Sequence, residues 1–206
     1  MVTARRRADD GFTLAELSVT MIIFGVLVLV LAQFSTQAFR LYGANANRIT
    51  SGGQASLVME QVSKDLRTAV AVGPASSSQA FVLATKTEVI FYSSVSGGPV
   101  RERLYLDASN RLQRESTLPD LSSTAPAYTY TTNRALQTRL LSDRVKTNSK
   151  LFSYLLKSSP ATLVAPVAPG DLGAIIGVQI LVTINVDASG RTGATLLNTV
   201  RPYNVT

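Results

Sequence analysis

The feature that most constrains this 206-residue chain is an apolar run near its N-terminus, from Phe12 to Ala32. Its 21 residues include no proline and one charged side chain, that of Glu16. A helix of this length is about 32 Å long, at about 1.5 Å per residue, and can cross a hydrocarbon core of about 30 Å. The run predicts a transmembrane helix over residues 12–33.

The residues on either side of the run indicate its orientation. Arg5, Arg6 and Arg7 lie just before it, and the positive-inside rule then keeps the N-terminus in the cytoplasm. No small-residue cleavage site of the kind found in secretory signals follows Ala32. We therefore expect the helix to be retained, with the rest of a single-pass protein exported.

The helical pattern continues beyond the apolar run. Apolar side chains recur three and four residues apart as far as Val72, and Gly73-Pro74 is a helix stop. The recurring residues are Phe34, Ala38, Leu41, Ala55, Met59, Val62, Leu66 and Ala69. Residues 34–73 are thus predicted to form the soluble half of one long helix, with Gly52-Gly53 as a soft point.

After Pro74 the apolar period changes to two, which is typical of half-buried strands. Strands are predicted at Phe81–Leu83, Glu88–Tyr92, Arg101–Leu106, Leu112–Glu115, Val178–Val186 and Ala194–Val200, with turns at 107–110 and 187–190. Residues 116–135 and 158–170 are interpreted as long loops, 134–146 as a candidate helix, and 151–156 as either strand or helix.

The predicted fold class is α+β. A long N-terminal helix packs on one face of an antiparallel sheet, which is formed by the exported domain, residues 74–206. Met59, Val62 and Leu66 are expected to lie against the strand at Val178–Val186.

The composition excludes several classes of catalytic and metal site. The chain has no cysteine and no histidine, which removes thiol nucleophiles, disulfides, Ser-His-Asp triads and imidazole or thiolate metal ligands. Asp107-x-Ser109 and Asp187-x-Ser189 lack the ligand series of a calcium loop and are interpreted as turns. We expect a protein that is not an enzyme and that uses no cofactor or metal.

The formal charge of +7 can attract nucleic acid or anionic lipid. Arg101, Arg103, Arg111 and Arg114 lie on one predicted hairpin, where they are compatible with a DNA-facing patch. Charged side chains also protect strand edges from aggregation, and this interpretation is favoured. Nucleic acid is therefore a possible but disfavoured partner.

The string Gly11-Phe12-Thr13-Leu14-Ala15-Glu16-Leu17 lies between the arginines and the body of the apolar run. It resembles the N-terminal signal of the type IV pilin and type II secretion pseudopilin superfamily, and Gly11, Phe12, Thr13, Leu14 and Glu16 carry the resemblance. The resemblance implies that prepilin peptidase cuts between Gly11 and Phe12 and then methylates the amine of Phe12. It also implies a cytoplasmic leader, residues 1–11, and a location in the bacterial inner membrane.

Glu16 is the unusual member of this signal, because an ionisable group inside an apolar span is costly. In the superfamily this carboxylate neutralises the N-terminal amine of a neighbouring subunit during assembly. The alternative is that Glu16 lies near the membrane interface and reaches the water.

The size of the chain, the string Leu151-Phe152-Ser153-Tyr154 and the ending Val200-Arg201-Pro202-Tyr203-Asn204 resemble minor pseudopilins of the J type. The resemblance implies a structural subunit that initiates or caps a type IV pilus or type II secretion pseudopilus. Its partners would be other pilins or pseudopilins, the inner-membrane assembly platform and the lipid bilayer. The alternative is a DNA-uptake or adhesin tip subunit that binds its ligand through the Arg hairpin and the loop at 116–135.

Overall fold

The computed structural model describes residues 13–74, 78–95, 98–132, 134, 136–146, 150–186 and 192–203. The chain divides into two compact units, Met1–Ala46 and Asn47–Thr206. The described part of the first unit is helical from Leu14 onward. The second unit contains the last part of that helix and all the described strands.

The helix, α1, is Leu14–Arg67, and it continues through Gly52 and Gly53. Its buried residues all belong to the second unit and recur mostly three and four apart, as one buried face requires. They are Ser51, Ala55, Val58, Met59, Val62, Ser63, Asp65 and Leu66.

The helix ends earlier than the predicted Val72. The Thr68 hydroxyl donates to the Asp65 carbonyl at 2.6 Å. The backbone N–H of Val70 then donates to the carbonyl of Tyr92 at 2.8 Å, and Val72 exchanges backbone hydrogen bonds with Gln79. Pairing with a strand has replaced the last helical turn, and the stop at Gly73-Pro74 comes too late to decide the boundary.

Within the described residues, nine strands form two antiparallel sheets rather than the single predicted sheet. The first has the order β1-β2-β3-β4-β5 and the second β7-β6-β8-β9. The first sheet contains β1 (Phe81–Ala84), β2 (Glu88–Val95), β3 (Gly98–Leu106), β4 (Leu112–Thr117) and β5 (Gln137–Ser142). The second contains β6 (Phe152–Leu156), β7 (Ser159–Val164), β8 (Ile175–Asn185) and β9 (Thr192–Val200).

Three segments with less clear sequence patterns can also be compared with their predictions. The candidate helix at 134–146 is wrong, because these residues contain β5, which pairs along β4. The predicted loop at 158–170 contains β7 and the start of a 3₁₀ helix, Pro169–Ala174. Residues 151–156 contain a strand, β6. The turn predicted at 187–190 lies outside the described residues.

The α+β prediction is confirmed, since the helix packs on antiparallel sheets. Met59, Val62 and Leu66 are buried in the same apolar core as Val178, Ile180, Val182 and Ile184 of β8. Phe81, Phe91, Leu104 and Leu112 from the first sheet belong to this core as well. One core therefore holds the helix and both sheets together within the second unit.

A buried ionic cluster joins the last turn of α1 to the first sheet. Arg114 on β4 donates two hydrogen bonds to Glu102 on β3, at 3.0 and 2.9 Å, and its Nη1 lies 3.4 Å from Oδ1 of Asp65. Ser116 also donates to Glu102, at 2.6 Å, and Gln61 donates to Asp65 at 2.9 Å. Two carboxylates thus share one guanidinium across the helix–sheet contact.

Asp65 is the member of this cluster whose hydrogen bonding is incomplete. Its Oδ2 atom is buried and accepts no hydrogen bond. Burial raises the pKa of this carboxyl, and the neighbouring Arg114 opposes the rise. Because the folded pKa is raised, Asp65 contributes most to stability below its unfolded pKa, and that contribution is lost as the pH rises through the folded value.

This predicts the pH dependence of an Asp65→Asn variant. The free energy of unfolding of the native protein, minus that of the variant, should increase when the pH falls from 7 to 4. Urea unfolding in detergent, followed by tyrosine fluorescence, measures this difference.

The control is Asp107→Asn on the turn between β3 and β4. The backbone N–H of Arg111, with other donors, lowers the pKa of Asp107 to about 2. The free energy of unfolding of the native protein, minus that of Asp107→Asn, should therefore shrink as the pH falls from about 4 to about 2. If lowering the pH changed the native-minus-variant difference in the same direction for both variants, this assignment would be contradicted.

Candidate processing and assembly site

The structure places three residues of the predicted signal at the start of α1. Thr13 precedes the first helical residue, Leu14, and Glu16 lies three residues after Thr13. Gly11 and Phe12 lie outside the described residues. The predicted cleavage and methylation positions therefore rest on the sequence, and the geometry concerns Thr13 and Glu16.

Thr13 and Glu16 form a reciprocal helix cap. The backbone N–H and the hydroxyl of Thr13 both donate to Oε2 of Glu16, at 3.1 and 3.0 Å. The backbone N–H of Glu16 approaches Oγ1 of Thr13 at 3.3 Å. This is a capping box, in which two backbone N–H groups that lack helical partners are satisfied by side chains. Glu16 is therefore held at the helix start by Thr13.

The cap occupies only half of the Glu16 carboxylate. Both hydrogen bonds from Thr13 end on Oε2, and Oε1 accepts none from the described residues. No described cation lies within ion-pair distance of Glu16. One oxygen and a full negative charge are thus presented at an exposed position. This arrangement can accept hydrogen bonds from an ammonium group.

Three hydroxyl groups that follow Glu16 donate to backbone carbonyls of the same helix. The hydroxyl of Ser18 donates to the carbonyl of Leu14 at 2.8 Å, and that of Thr20 donates to the carbonyl of Glu16 at 2.7 Å. Thr36 bonds in the same way to Ala32, at 2.8 Å. Such bonds let hydroxyl groups enter an apolar environment, because no donor is left without a partner. Glu16 remains the one ionic group in this part of α1.

The surrounding surface of α1 is apolar and uncovered within the protein. Leu14, Met21, Phe24 and Leu29 are each more than 60% exposed. Among the described helices, α1 is long and apolar enough to cross a membrane. The segment that carries Glu16 thus presents side chains suited to lipid or to the apolar helices of neighbouring subunits.

A comparison with protein families bears on this segment. Residues 6–32 match the family model described as the prokaryotic N-terminal methylation motif. The match includes Gly11, Phe12, Thr13 and Glu16 and ends with the last residue of the apolar run, Ala32. The motif indicates a precursor of the pilin or pseudopilin type. A search of curated proteins found no match to the chain.

The four arginines of the β3–β4 hairpin do not form a free basic patch. Arg103 pairs with Glu88 and Glu115 at 2.6 and 3.1 Å. Arg111 pairs with Asp107 at 2.7 Å, and Arg114 is held in the buried cluster. The guanidinium of Arg101 lies over the ring of Tyr130. Since β3 and β4 are interior strands, the interpretation of these charges as edge protection is wrong.

The predicted ligand-binding loop at 116–135 is ordered around one of its own residues. The Asp120 carboxylate accepts from the hydroxyls of Thr129, Thr131 and Thr132 and from the backbone N–H groups of the last two. The Thr132 hydroxyl bond, with the others, holds the pKa of Asp120 well below its usual range. The carboxylate is directed into the loop, so it is not available to a ligand.

Two functional arrangements escaped the sequence interpretation. The capping box had a readable signal, because Thr13 and Glu16 stand in the spacing Thr-x-x-Glu at the start of a helical pattern. The buried cluster had none, because Asp65, Glu102 and Arg114 are far apart in sequence. Only the packing of α1 against β3 and β4 brings them together.

Proposed function

We propose that the chain is a minor pilin or pseudopilin, a membrane-anchored structural subunit that helps to initiate or cap a type IV pilus or a type II secretion pseudopilus. The methylation motif at residues 6–32 carries this proposal. The motif coincides with the apolar first part of α1, whose one ionic group, Glu16, is presented by a cap. The strings Leu151-Phe152-Ser153-Tyr154 and Val200-Arg201-Pro202-Tyr203-Asn204 resemble those of minor pseudopilins and favour a subunit of the J type.

The proposed organisation has four parts. Residues 1–11 form a cytoplasmic leader, and residues 12–33 form the transmembrane segment. Residues 34–73 form a soluble segment that contains the rest of α1, which ends at Arg67, and residues 74–206 form the exported domain. The three arginines before the span keep the leader in the cytoplasm. The internally bonded hydroxyls of Ser18 and Thr20 support a membrane position for the first turns of α1.

The first proposed event is processing by prepilin peptidase. Hydrolysis between Gly11 and Phe12 removes the leader and leaves a positively charged amine on Phe12, which is then methylated. Gly11 suits this position because it has no side chain to obstruct the backbone at the membrane surface.

The second proposed event is docking of the mature subunit. The Oε1 atom of Glu16 accepts a hydrogen bond from the charged amine of Phe12 on a neighbouring pilin or pseudopilin. The cap to Thr13 meanwhile keeps the carboxylate in position. The two charges neutralise each other, which makes their joint burial in the apolar assembly tolerable. The assembly platform and the bilayer hold the subunits until docking occurs.

Processing predicts the outcome of a Gly11→Val substitution. Co-expression of the native chain with an active prepilin peptidase should give a product that begins at N-methylated Phe12. In Gly11→Val the branched side chain crowds the scissile bond, so the leader should be retained in nearly all molecules. Mass spectrometry of the N-terminal peptide distinguishes the two.

The matched control is Gly25→Val within the apolar run. A β-carbon added at Gly25 meets no atom within 4 Å, so this variant should be processed like the native chain. An intact N-terminus on the native chain, in the presence of active peptidase, would overturn the proposed function.

A further inference from the structure

The two sheets differ sharply in charge. The strands of the first sheet carry charged side chains on β2, β3, β4 and β5, whereas β6, β7, β8 and β9 contain no Asp, Glu, Lys or Arg. Uncharged strands are unusual in a chain with 20 basic residues. The second sheet therefore lacks the charges by which sheets normally resist pairing with other strands.

The strand β9 is the least protected edge of the two sheets. Edge strand β1 is covered by residues near Val167, whose N–H donates to the carbonyl of Ala84 at 2.9 Å. The edge strand β5 carries Arg139, and β7 contains Pro160. By contrast, β9 is nine residues long and contains neither proline nor charge. It retains none of these three devices against further pairing.

The register of β8 shows which backbone groups of β9 are free. The N–H of Leu181 donates to the carbonyl of Leu151, and the carbonyl of Thr183 accepts from Lys146, both on the side of β8 away from β9. Leu197 and Thr195 lie opposite these residues. In an antiparallel pair, such residues direct their own N–H and C=O groups away from the shared ladder. Thr195, Leu197 and, by the same alternation, Thr199 thus form an open hydrogen-bonding edge.

The helix α1 forms a wall beside this edge. Asn198 donates a side-chain hydrogen bond to Ser63 at 2.9 Å. Farther along, a β-carbon at Gly193 would lie 2.6 Å from Oγ of Ser51, so the helix and β9 are in close contact there. A groove between the helix and the strand has Glu60, Lys64 and Arg67 on its helical side. The last two form no ion pair with any described residue.

We propose that the free edge of β9 binds an extended segment of a different, neighbouring filament subunit by β-strand addition, with an acidic side chain of that segment facing Lys64 and Arg67. A row of unpaired backbone groups is satisfied by another extended backbone. A second copy of β9 would bring no carboxylate to the basic end of the groove. The inference rests on the proposed function, because it takes the neighbours to be pilin-like subunits.

Cysteine labelling of the full chain in membranes tests the contact, because the native chain has no cysteine. Leu197→Cys and Leu140→Cys each place a thiol on an edge strand, at leucines that are 61% and 52% exposed. With the other filament subunits co-expressed, a membrane-impermeant maleimide should label Leu197→Cys about tenfold more slowly than without them. Leu140→Cys, on β5, should label equally in both cases.

A second pair of variants separates backbone pairing from side-chain contact. Leu197→Pro removes a backbone N–H that β8 does not use, which an edge strand tolerates. Leu197→Ala keeps that N–H. With Thr199→Cys as the labelled site, protection should fall about tenfold in the proline variant and less than threefold in the alanine variant. Should Leu197→Pro fail to fold, Thr195→Lys replaces it, with Thr138→Lys on β5 as its control.

The outcomes distinguish this inference from the proposed function. Two results together support β-strand addition: protection of Leu197→Cys that requires another methylation-motif subunit, and protection of Thr199→Cys that is lost when Leu197→Pro removes the backbone N–H. Copurification with such subunits without protection overturns the inference and leaves the proposed function intact. Protection by a second copy of this chain, or equal loss in the alanine and proline variants, also overturns it. Failure of both leader removal and copurification overturns the proposed function as well.

Discussion

Glu16→Gln is expected to abolish incorporation of the subunit without affecting its insertion or processing. Glutamine at this position can still cap the helix, but it cannot neutralise the amine of Phe12 on the adjoining subunit. That amine would be buried without a counter-charge, at a cost of roughly 3–5 kcal/mol. Crosslinking to co-expressed neighbours in membranes should therefore fall to background. Glu16→Ala should also insert at least as well as the native chain, because an ionisable group has been removed from the span.

Thr13→Ala is the matched control, since it removes the hydroxyl that donates to Glu16 and accepts from its backbone N–H while keeping the carboxylate. Loss of a helix cap costs about 0.5–2 kcal/mol, which frays the first turn but leaves the charge for docking. Crosslinking should stay close to the native level. If Thr13→Ala were as defective as Glu16→Gln, Glu16 would act through the cap. If both variants assembled normally, Glu16 would be an interface residue that reaches the water.

Arg114→Met is expected to give the largest loss of folding stability. The side chain of Glu102 is only 2% exposed and would lose both hydrogen bonds from the guanidinium. Removing one partner of a buried pair costs roughly 3–5 kcal/mol, because the other charge stays buried and unpaired. Urea unfolding of the full chain in detergent, followed through its seven tyrosines, should show a correspondingly lower midpoint.

Arg103→Met makes the same chemical change elsewhere on the first sheet. Arg103 follows Glu102 on β3, so its side chain lies on the opposite face of the sheet. Arg103 is 40% exposed, so its guanidinium, unlike the buried Glu102, stays in contact with water while it pairs with the partly exposed Glu88 and Glu115. Exposed pairs contribute about 0–1 kcal/mol, so this variant should unfold close to the native midpoint. Equal losses for the two variants would mean that the cluster around Glu102 has no special role.

The fold was predictable wherever the apolar period was clear. Val178, Ile180, Val182 and Ile184 alternate with less apolar residues, and the structure buries all four in β8. The end of α1 was not predictable, because Val70 and Val72 fit a helical face equally well. Backbone hydrogen bonds decide their conformation: Val70 donates to the carbonyl of Tyr92, and Val72 exchanges two bonds with Gln79. Helix propensity is too weak to resist them.

In the candidate site, too, local features could be predicted from the sequence, whereas contacts between distant residues could not. The signal from Gly11 to Glu16 could be recognised from residue types and spacing, since all its members are local. The arginines on β3 and β4 could not be assigned, because their partners depend on register. Glu115 lies directly opposite Arg103 only once β3 and β4 are paired, and Asp65 reaches Arg114 only across the core.

The cluster of Asp65, Glu102 and Arg114 also has a mechanical meaning. In the proposed filament, a force along α1 must be transmitted to the sheets of the same subunit. Apolar contacts have little directional preference, so a helix held by them alone could slide. A slip of one turn, about 5.4 Å, would carry Asp65 away from Arg114 and Ser63 away from Asn198. These two contacts resist axial shear, so a pull on this part of the helix moves both sheets with it.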